Sequence, residues 1–247
     1  MHIHVSDHEG GVRLLRINRP PANAINVELL QELHDVVSAA EADESVRAVV
    51  VTGAGRFFSA GLDIKEMAQK GVGELARLGG GKDGIYKLWR LPKPTIAMVD
   101  GHALAGGAIL MLACDFRIAS RGAFKIGVTE TALGLPLPNG AFQIARYAIP
   151  SKYARRVLLE ADSFDPMGAL EVGLVDHLTS QEELEARSFA MARKLGAYPT
   201  AAYAFQKYLL QAEANQAVHS PVDPGNEAFR KELMDSFEKL AAARKGG

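Results

Sequence analysis

Apolar positions along the first two thirds of the chain come in short runs that alternate with helical spacings. Residues 13–18 read as a strand, which Pro20-Pro21 ends. Beyond it Leu29, Leu33, Val36, Val37 and Ala40 fall on one face of a helix that Asn26 is placed to cap. The β-branched run Val46-Arg47-Ala48-Val49-Val50-Val51 follows, and Gly53-Ala54-Gly55 signals a loop. Thr95-Ile96-Ala97-Met98-Val99 lacks polar alternation, the mark of a strand covered on both faces in a parallel sheet. Residues 116–119, 124–126 and 173–178 are further strand segments. Asp165-Pro166 is a cap and first-turn pair that opens a short helix before the last of them. From Gln181 onward the pattern is helical only, and Phe229, Leu233, Phe237 and Leu240 stand at helical spacing near the end. The pattern predicts an α/β core, residues 1–190, followed by a helical C-terminal region, residues 191–247.

Composition narrows the function classes. With 247 residues, 48% apolar and 23% charged, the chain has a globular composition. A chain this long buries roughly 70–75% of its unfolded surface, enough for a core without staples. The longest apolar stretch, residues 103–114, falls short of the ~20 residues of a membrane span and contains two glycines. The first eight residues show no basic region followed by an apolar core, so no signal peptide is expected. Lys plus Arg is 28 against 29 for Asp plus Glu, a net charge of −1, which argues against a nucleic-acid coat. One cysteine, Cys114, excludes an internal disulfide and a thiolate metal cluster, so a reducing, cytoplasmic setting is expected. Glycines at 71, 73, 79, 80, 81 and 84 mark a stretch expected to be mobile.

Several familiar motifs fail on inspection. Gly71-Val72-Gly73-Glu74-Leu75-Ala76 matches a dinucleotide fingerprint in letters, but no buried strand delivers it to a helix start. Gly81-Lys82 lacks the earlier glycine and the Ser or Thr of a phosphate loop. Ser59-Ala60-Gly61 is preceded by Phe57, where a nucleophile elbow needs glycine. His2 and His4 are read as a solvated terminus rather than a metal site.

Three segments carry candidate chemistry. Arg56-Phe57-Phe58-Ser59-Ala60-Gly61-Leu62-Asp63-Ile64 follows one strand. Asp100-Gly101-His102-Ala103-Leu104-Ala105-Gly106-Gly107-Ala108 follows another and opens an apolar helix. The first turn of a helix has unpaired N–H groups, and glycine there lets a ligand approach the backbone. Two such loops supplying one N–H each would form an oxyanion hole; the competing reading, ahead on composition alone, is two ordinary strand-to-helix turns. The third segment, Gly127-Val128-Thr129-Glu130-Thr131-Ala132-Leu133-Gly134, sets Glu130 among apolar residues. Such surroundings raise a carboxyl pKa and suit a base toward a weak carbon acid; a surface loop glutamate is the alternative. His102 is read as a loop residue without a role.

Together these segments resemble the crotonase superfamily, the enoyl-CoA hydratase/isomerase family. Phe58-Ser59-Ala60-Gly61-Leu62-Asp63-Ile64 resembles its first oxyanion loop. Lys93-Pro94-Thr95-Ile96-Ala97-Met98-Val99-Asp100-Gly101, with Ala105-Gly106-Gly107 and Cys114-Asp115, resembles its second. Residues 127–134 resemble its catalytic-glutamate loop, and Ala169-Leu170-Glu171-Val172-Gly173-Leu174-Val175-Asp176 the stretch that follows. The resemblance implies a ClpP/crotonase-like spiral of ββα turns whose helical C-terminal region builds trimers, often paired into hexamers. It implies an acyl-CoA thioester as substrate and no metal or separate cofactor; some relatives also bind RNA, but the net charge of −1 and the lack of a membrane-length apolar run lead to no nucleic-acid or membrane partner being expected. The backbone N–H groups of Leu62 and Gly106 would hold the thioester oxygen. Ala60, Gly61, Leu62, Asp63 and Ile64, with Gly106 and Thr129, would line the substrate path, and Glu130 would be the acid/base. Arg56 and Lys65 are candidates for the CoA phosphates.

One departure bears on the reaction. Hydratases of the family carry a second glutamate on the helix after the glycines; aligned on Cys114-Asp115, that position is Ile109, and residues 106–114 contain no carboxylate. Hydration shares its proton transfers between two carboxylates, whereas moving a double bond needs one. Pro20-Pro21-Ala22-Asn23 and Val128-Thr129-Glu130-Thr131 also resemble the isomerases. A Δ3,Δ2-enoyl-CoA isomerase of fatty-acid oxidation is therefore expected. The alternatives are a hydratase using Glu130, another enolate reaction, and an acyl-CoA-binding protein with little catalysis.

Overall fold

The computed structural model describes residues 1–66 and 84–218, with residues 231, 235, 239 and 242 beyond them. The glycine-rich stretch expected to be mobile (Gly84 apart) and the stripe Phe229, Leu233, Phe237 and Leu240 lie outside the described residues.

Strand β1 (Ile3–His8) pairs antiparallel with β2 (Val12–Ile17). Strands β3 (Ala48–Gly53), β5 (Thr95–Val99), β7 (Phe116–Ser120) and β9 (His177–Thr179) extend this sheet in parallel, in the order β1-β2-β3-β5-β7-β9. A second, smaller sheet joins β4 (Phe57–Ser59), β6 (His102–Leu104) and β8 (Ile126–Gly127), also in parallel. The chain steps from the large sheet to the small one and on to a helix, three times over. The turns run β3, β4 and α2 (Gly84–Trp89); β5, β6 and α3 (Gly106–Leu112); β7, β8 and α4 (Asn139–Ala148). This is the spiral of ββα turns that the resemblance implied.

Strand alternation divides the core in two. Val49, Val51, Ala97 and Val99 face a large cluster with Leu29, Leu33 and Val37 of α1 (Val27–Ala42) and Ile109 to Leu112 of α3. Ala48, Val50, Ile96, Met98 and Ile118 face the opposite way, onto Leu184, Phe189 and Ala192 of α7 (Gln181–Gly196). With both faces covered, β3 and β5 carry unbroken apolar runs, each buried Val, Ile or Met side chain contributing about 1.5–3 kcal/mol. Asn26 caps α1 by accepting the Leu29 N–H at 2.9 Å, and Asp165 caps α6 (Pro166–Glu171) by accepting that of Gly168 at 2.7 Å. Helix α5 (Ser151–Arg155) widens into a π-helical turn over Arg156–Glu160 and stops at Ala161, whose φ is +53°. Helix α8 (Thr200–Val218) is tied to the start of β7 through Asp115, which meets Lys207 at 2.8 Å and accepts the Tyr203 hydroxyl at 3.0 Å. Among the described residues no helix is long and apolar enough to cross a membrane.

The structure corrects the sequence reading at several edges. The terminus read as solvated forms β1: Ile3 is buried, opposite Ile17, while His4, Val5, Ser6 and Asp7 are exposed. The β-branched run enters the sheet at Ala48 rather than Val46, because the Arg47 and Ala48 N–H groups first bond to the Gly11 carbonyl. The last strand starts at His177, because Gly173 (φ +78°) and Leu174 still close α6. Strands β4 and β6 form where the sequence pattern predicts loops. Three residues show no period, and long-range pairing alone makes them strands.

Candidate active site

All three chemistry-bearing segments leave the small sheet at the same end. Its strands are parallel, with Ser59 opposite Ala103 and Leu104 opposite Gly127. Residues 60–62, 105–107 and 128–130 therefore emerge side by side from the carboxyl ends of β4, β6 and β8. That is where open parallel sheets bind ligands.

The first loop is fixed through its backbone. Ala60 N–H donates to Ala22 O, Ile25 N–H to Gly61 O at 2.7 Å, and Asp63 N–H to Ile25 O at 2.8 Å. The Ser59 hydroxyl donates to Asn23 O and accepts the Gly61 N–H. Gly61 takes φ +89°, a conformation that side chains resist. The Leu62 N–H lies between satisfied neighbours and has no partner among the described residues.

In the second loop Ala105 bridges β6 and α3 with φ +50° and ψ −129°. An alanine held there stores about 1–3 kcal/mol of backbone strain. Its own N–H bonds to Gly127 O, and its carbonyl accepts from Ala108 and Ile109, which leaves the Gly106 N–H without a partner among the described residues. The two loops touch. A Cβ built on Gly61 would lie 3.0 Å from Gly106 N, and one built on Gly106 would lie 3.5 Å from Leu62 N. Two unpaired amides on abutting loops are the geometry that holds one oxygen as it gains charge.

Glu130 precedes a short 3-10 turn, Thr131–Leu133, that closes at Gly134 with φ +71°. Its carbonyl accepts the Leu133 and Leu135 N–H groups, so the turn is bonded to itself. The side chain is 8% exposed, and its Oε2 has no hydrogen-bond partner among the described residues. Burial pushes the carboxyl up to about 7, against the pull of the Glu130 and Thr129 amides. Burial also lowers the pKa of His102, with Arg56 adding to the effect; its Nδ1 accepts the Lys125 N–H at 3.1 Å.

A cleft of about 560 Å³ opens beside the first loop. Ala60, Leu62, Asp63 and Ile64 line it together with Arg19, Pro20 and Pro21, and His2 and Lys65 add basic groups. Gly61, Gly106, Thr129, Glu130 and Arg56 do not line this cleft. Sequence reasoning missed Arg19 and Asn23. Arg19 pairs with Asp63 at 2.7 Å and donates to Ala24 O. Burial works against the Asp63 charge, but Arg19 and the Glu66 amide outweigh it and hold the carboxyl below its usual range. Asn23, buried at φ +51°, donates to Ala54 O and Phe57 O and accepts the Arg19 N–H, which ties the two strand-end loops together. Asparagine beside Pro20-Pro21 was the available signal, since asparagine tolerates that left-handed conformation. Ala105 carried no signal at all.

Residues 7–245 match the sequence model of the Enoyl-CoA hydratase/isomerase family. The chain is 32% identical over 244 residues to the short-chain-enoyl-CoA hydratase of Clostridium acetobutylicum, covering 94% of this chain and 93% of that one. It is 31% identical over 211 residues to the mitochondrial enoyl-CoA delta isomerase 1 of Homo sapiens, covering 83% and 69%. Among solved structures it resembles human mitochondrial delta3-delta2-enoyl-CoA isomerase, with a TM-score of 0.83 and 25% identity over 99% of this chain and 93% of that one.

Proposed function

Because the chain belongs to the enoyl-CoA hydratase/isomerase family, we propose that it is a Δ3,Δ2-enoyl-CoA isomerase of fatty-acid oxidation, working through a thioester enolate. Glu130 removes a proton from C2 of a 3-enoyl-CoA; the electron pair moves onto the thioester oxygen, which the Leu62 and Gly106 N–H groups hold. The protonated Glu130 then returns the proton to C4, and the double bond ends between C2 and C3. The thioester itself makes the C2 proton acidic, so the reading needs no metal and no separate cofactor. Ala60, Gly61, Asp63, Ile64 and Thr129 border the substrate path, with Lys65 toward the CoA phosphates. A trimer or hexamer belongs to the same reading, supported by the exposed Phe205, Tyr208, Leu209 and Leu210 on α8. So does a reducing cytoplasmic setting, which suits the one buried thiol, Cys114.

The observation that carries this reading is one buried carboxyl whose Oε2 has no partner among the described residues, in a chain with Ile109 where a second carboxylate would stand. Burial places Glu130 at about 7, so kcat/KM is expected to rise with pH through that value as the base ionises. Glu130→Gln, assayed on trans-3-hexenoyl-CoA, is expected to lose roughly 10³-fold in kcat. Undiminished turnover would defeat the assignment. The second reading is hydration, favoured by the hydratase named among the similar proteins. Water addition to crotonyl-CoA at a rate near that of isomerisation would select it.

A further inference from the structure

The carboxyl of Glu130 is positioned by its main chain, since its Oε2 meets no partner among the described residues. That main chain closes on itself: Leu133 N–H donates to Thr129 O and Glu130 O, Gly134 N–H to Thr131 O, and Leu135 N–H to Glu130 O. Among the described residues one hydrogen bond ties residues 129–135 to a distant part of the chain. The Thr131 hydroxyl donates to Leu158 O at 2.8 Å across 27 residues. The acceptor is not an ordinary helical carbonyl. Leu158 sits in the π-helical turn that ends at Ala161, φ +53°, where the last carbonyls of a helix run out of internal donors. Thr131 thus caps that turn and anchors the glutamate's turn with the same bond.

We infer that Thr131 is a positioning residue, its hydroxyl holding the Glu130 turn against the Leu158 carbonyl so that the carboxyl stays aimed and dry. The inference rests on the reading of Glu130 as the acid/base. A base that serves two carbons in one turnover needs a fixed carboxyl, and a displacement of about 1 Å is enough to cost up to 10²-fold in rate. A loosened turn also lets water reach the carboxyl and relaxes its pKa toward that of an ordinary glutamate.

Thr131→Val keeps the shape and removes the donor. It is expected to lower kcat on trans-3-hexenoyl-CoA about tenfold, with KM changed less than about twofold. The Glu130 titration, read in the free protein by difference infrared spectroscopy against Glu130→Gln, is expected to fall by about one pH unit or more from its position near 7. Thr131→Ser restores the hydroxyl and is expected to restore both readouts. An unchanged titration in Thr131→Val, or a serine variant as impaired as the valine, overturns the proposal. Should the valine variant fail to fold, Thr131→Cys, a weaker donor, carries the same two readouts. The titration does not depend on which acyl-CoA reaction is catalysed. It therefore judges the tether separately from full turnover by Glu130→Gln, which would sink the isomerase reading instead.

Discussion

The loop that carries Leu62 and the turn that carries Glu130 are held in opposite ways. Around Leu62, the main-chain atoms of Ala60, Gly61 and Asp63 bond to the 22–25 segment, and the Asp63 side chain bonds to Arg19. Around Glu130, the bonds among the described residues are local except for that of the Thr131 hydroxyl. The difference suits the chemistry that the proposed function gives to each part. An amide that receives developing charge works best when it cannot move, because preorganisation removes the reorganisation cost at the moment of reaction. A carboxyl that takes a proton at one carbon and returns it two carbons away must keep its aim, and here that aim rests on a self-bonded turn with a single long-range anchor among the described residues.

Glycine substitutions test the rigid half of this contrast most sharply. A Cβ on Gly107 would meet Ser59 O at 2.2 Å, a backbone atom of β4. Gly107→Ala is therefore expected to destabilise the fold by about 3 kcal/mol or more, read as a lowered midpoint in urea. A wild-type midpoint would mean that α3 and β4 are not locked together. One residue earlier the effect should change in kind. A Cβ on Gly106 meets Leu62 N at an ordinary 3.5 Å, so Gly106→Ala should fold within about 1 kcal/mol of wild type. The methyl nevertheless takes space beside the two amides, and kcat should fall about 10²-fold. Full activity in that variant would show that the thioester oxygen sits elsewhere.

The smallest effect concerns the sheltered carboxyl. Its folded-state pKa is raised to about 7, above the ordinary glutamate range that the unfolded chain shows. The folded protein therefore binds more protons than the unfolded chain between roughly pH 4 and 7, and stability falls as pH rises through that window. Glu130→Gln removes the penalty. Below about pH 4 the variant and wild type should unfold together, while at pH 8 the variant should be more stable by about 2 kcal/mol. Parallel stability curves across that range would show that Glu130 is not desolvated.

The fold was legible where burial imposes a pattern. The doubly covered runs of β3 and β5, the helix capped by Asn26 and the helix capped by Asp165 could be read directly, because period, cap chemistry and β-branching are local properties. The short strands β4, β6 and β8 were read as loops or given the wrong bounds, and β1 was missed. Their stability comes from partners tens of residues away. In the candidate site, Glu130 stood out as an acid among apolar neighbours and Gly106 as a glycine opening a helix. Arg19 and Ala105 did not, and Asn23 and Thr131 stood only as letters of a motif without a role, since a guanidinium bridge, a left-handed backbone angle and a hydroxyl tether leave no spacing in the chain.

The order of residues alone thus determined an α/β core, a solitary acid in oily company and glycines where a ligand can come close to the backbone. Only the three-dimensional arrangement decided that three separate strand ends open side by side and that, among the described residues, the amides of Leu62 and Gly106 are left without partners and one hydroxyl anchors the turn bearing Glu130. Propensity and hydrophobicity act along the chain over a few residues. Unpaired donors, strained backbone and distant tethers come into being only when segments far apart in sequence are packed against each other.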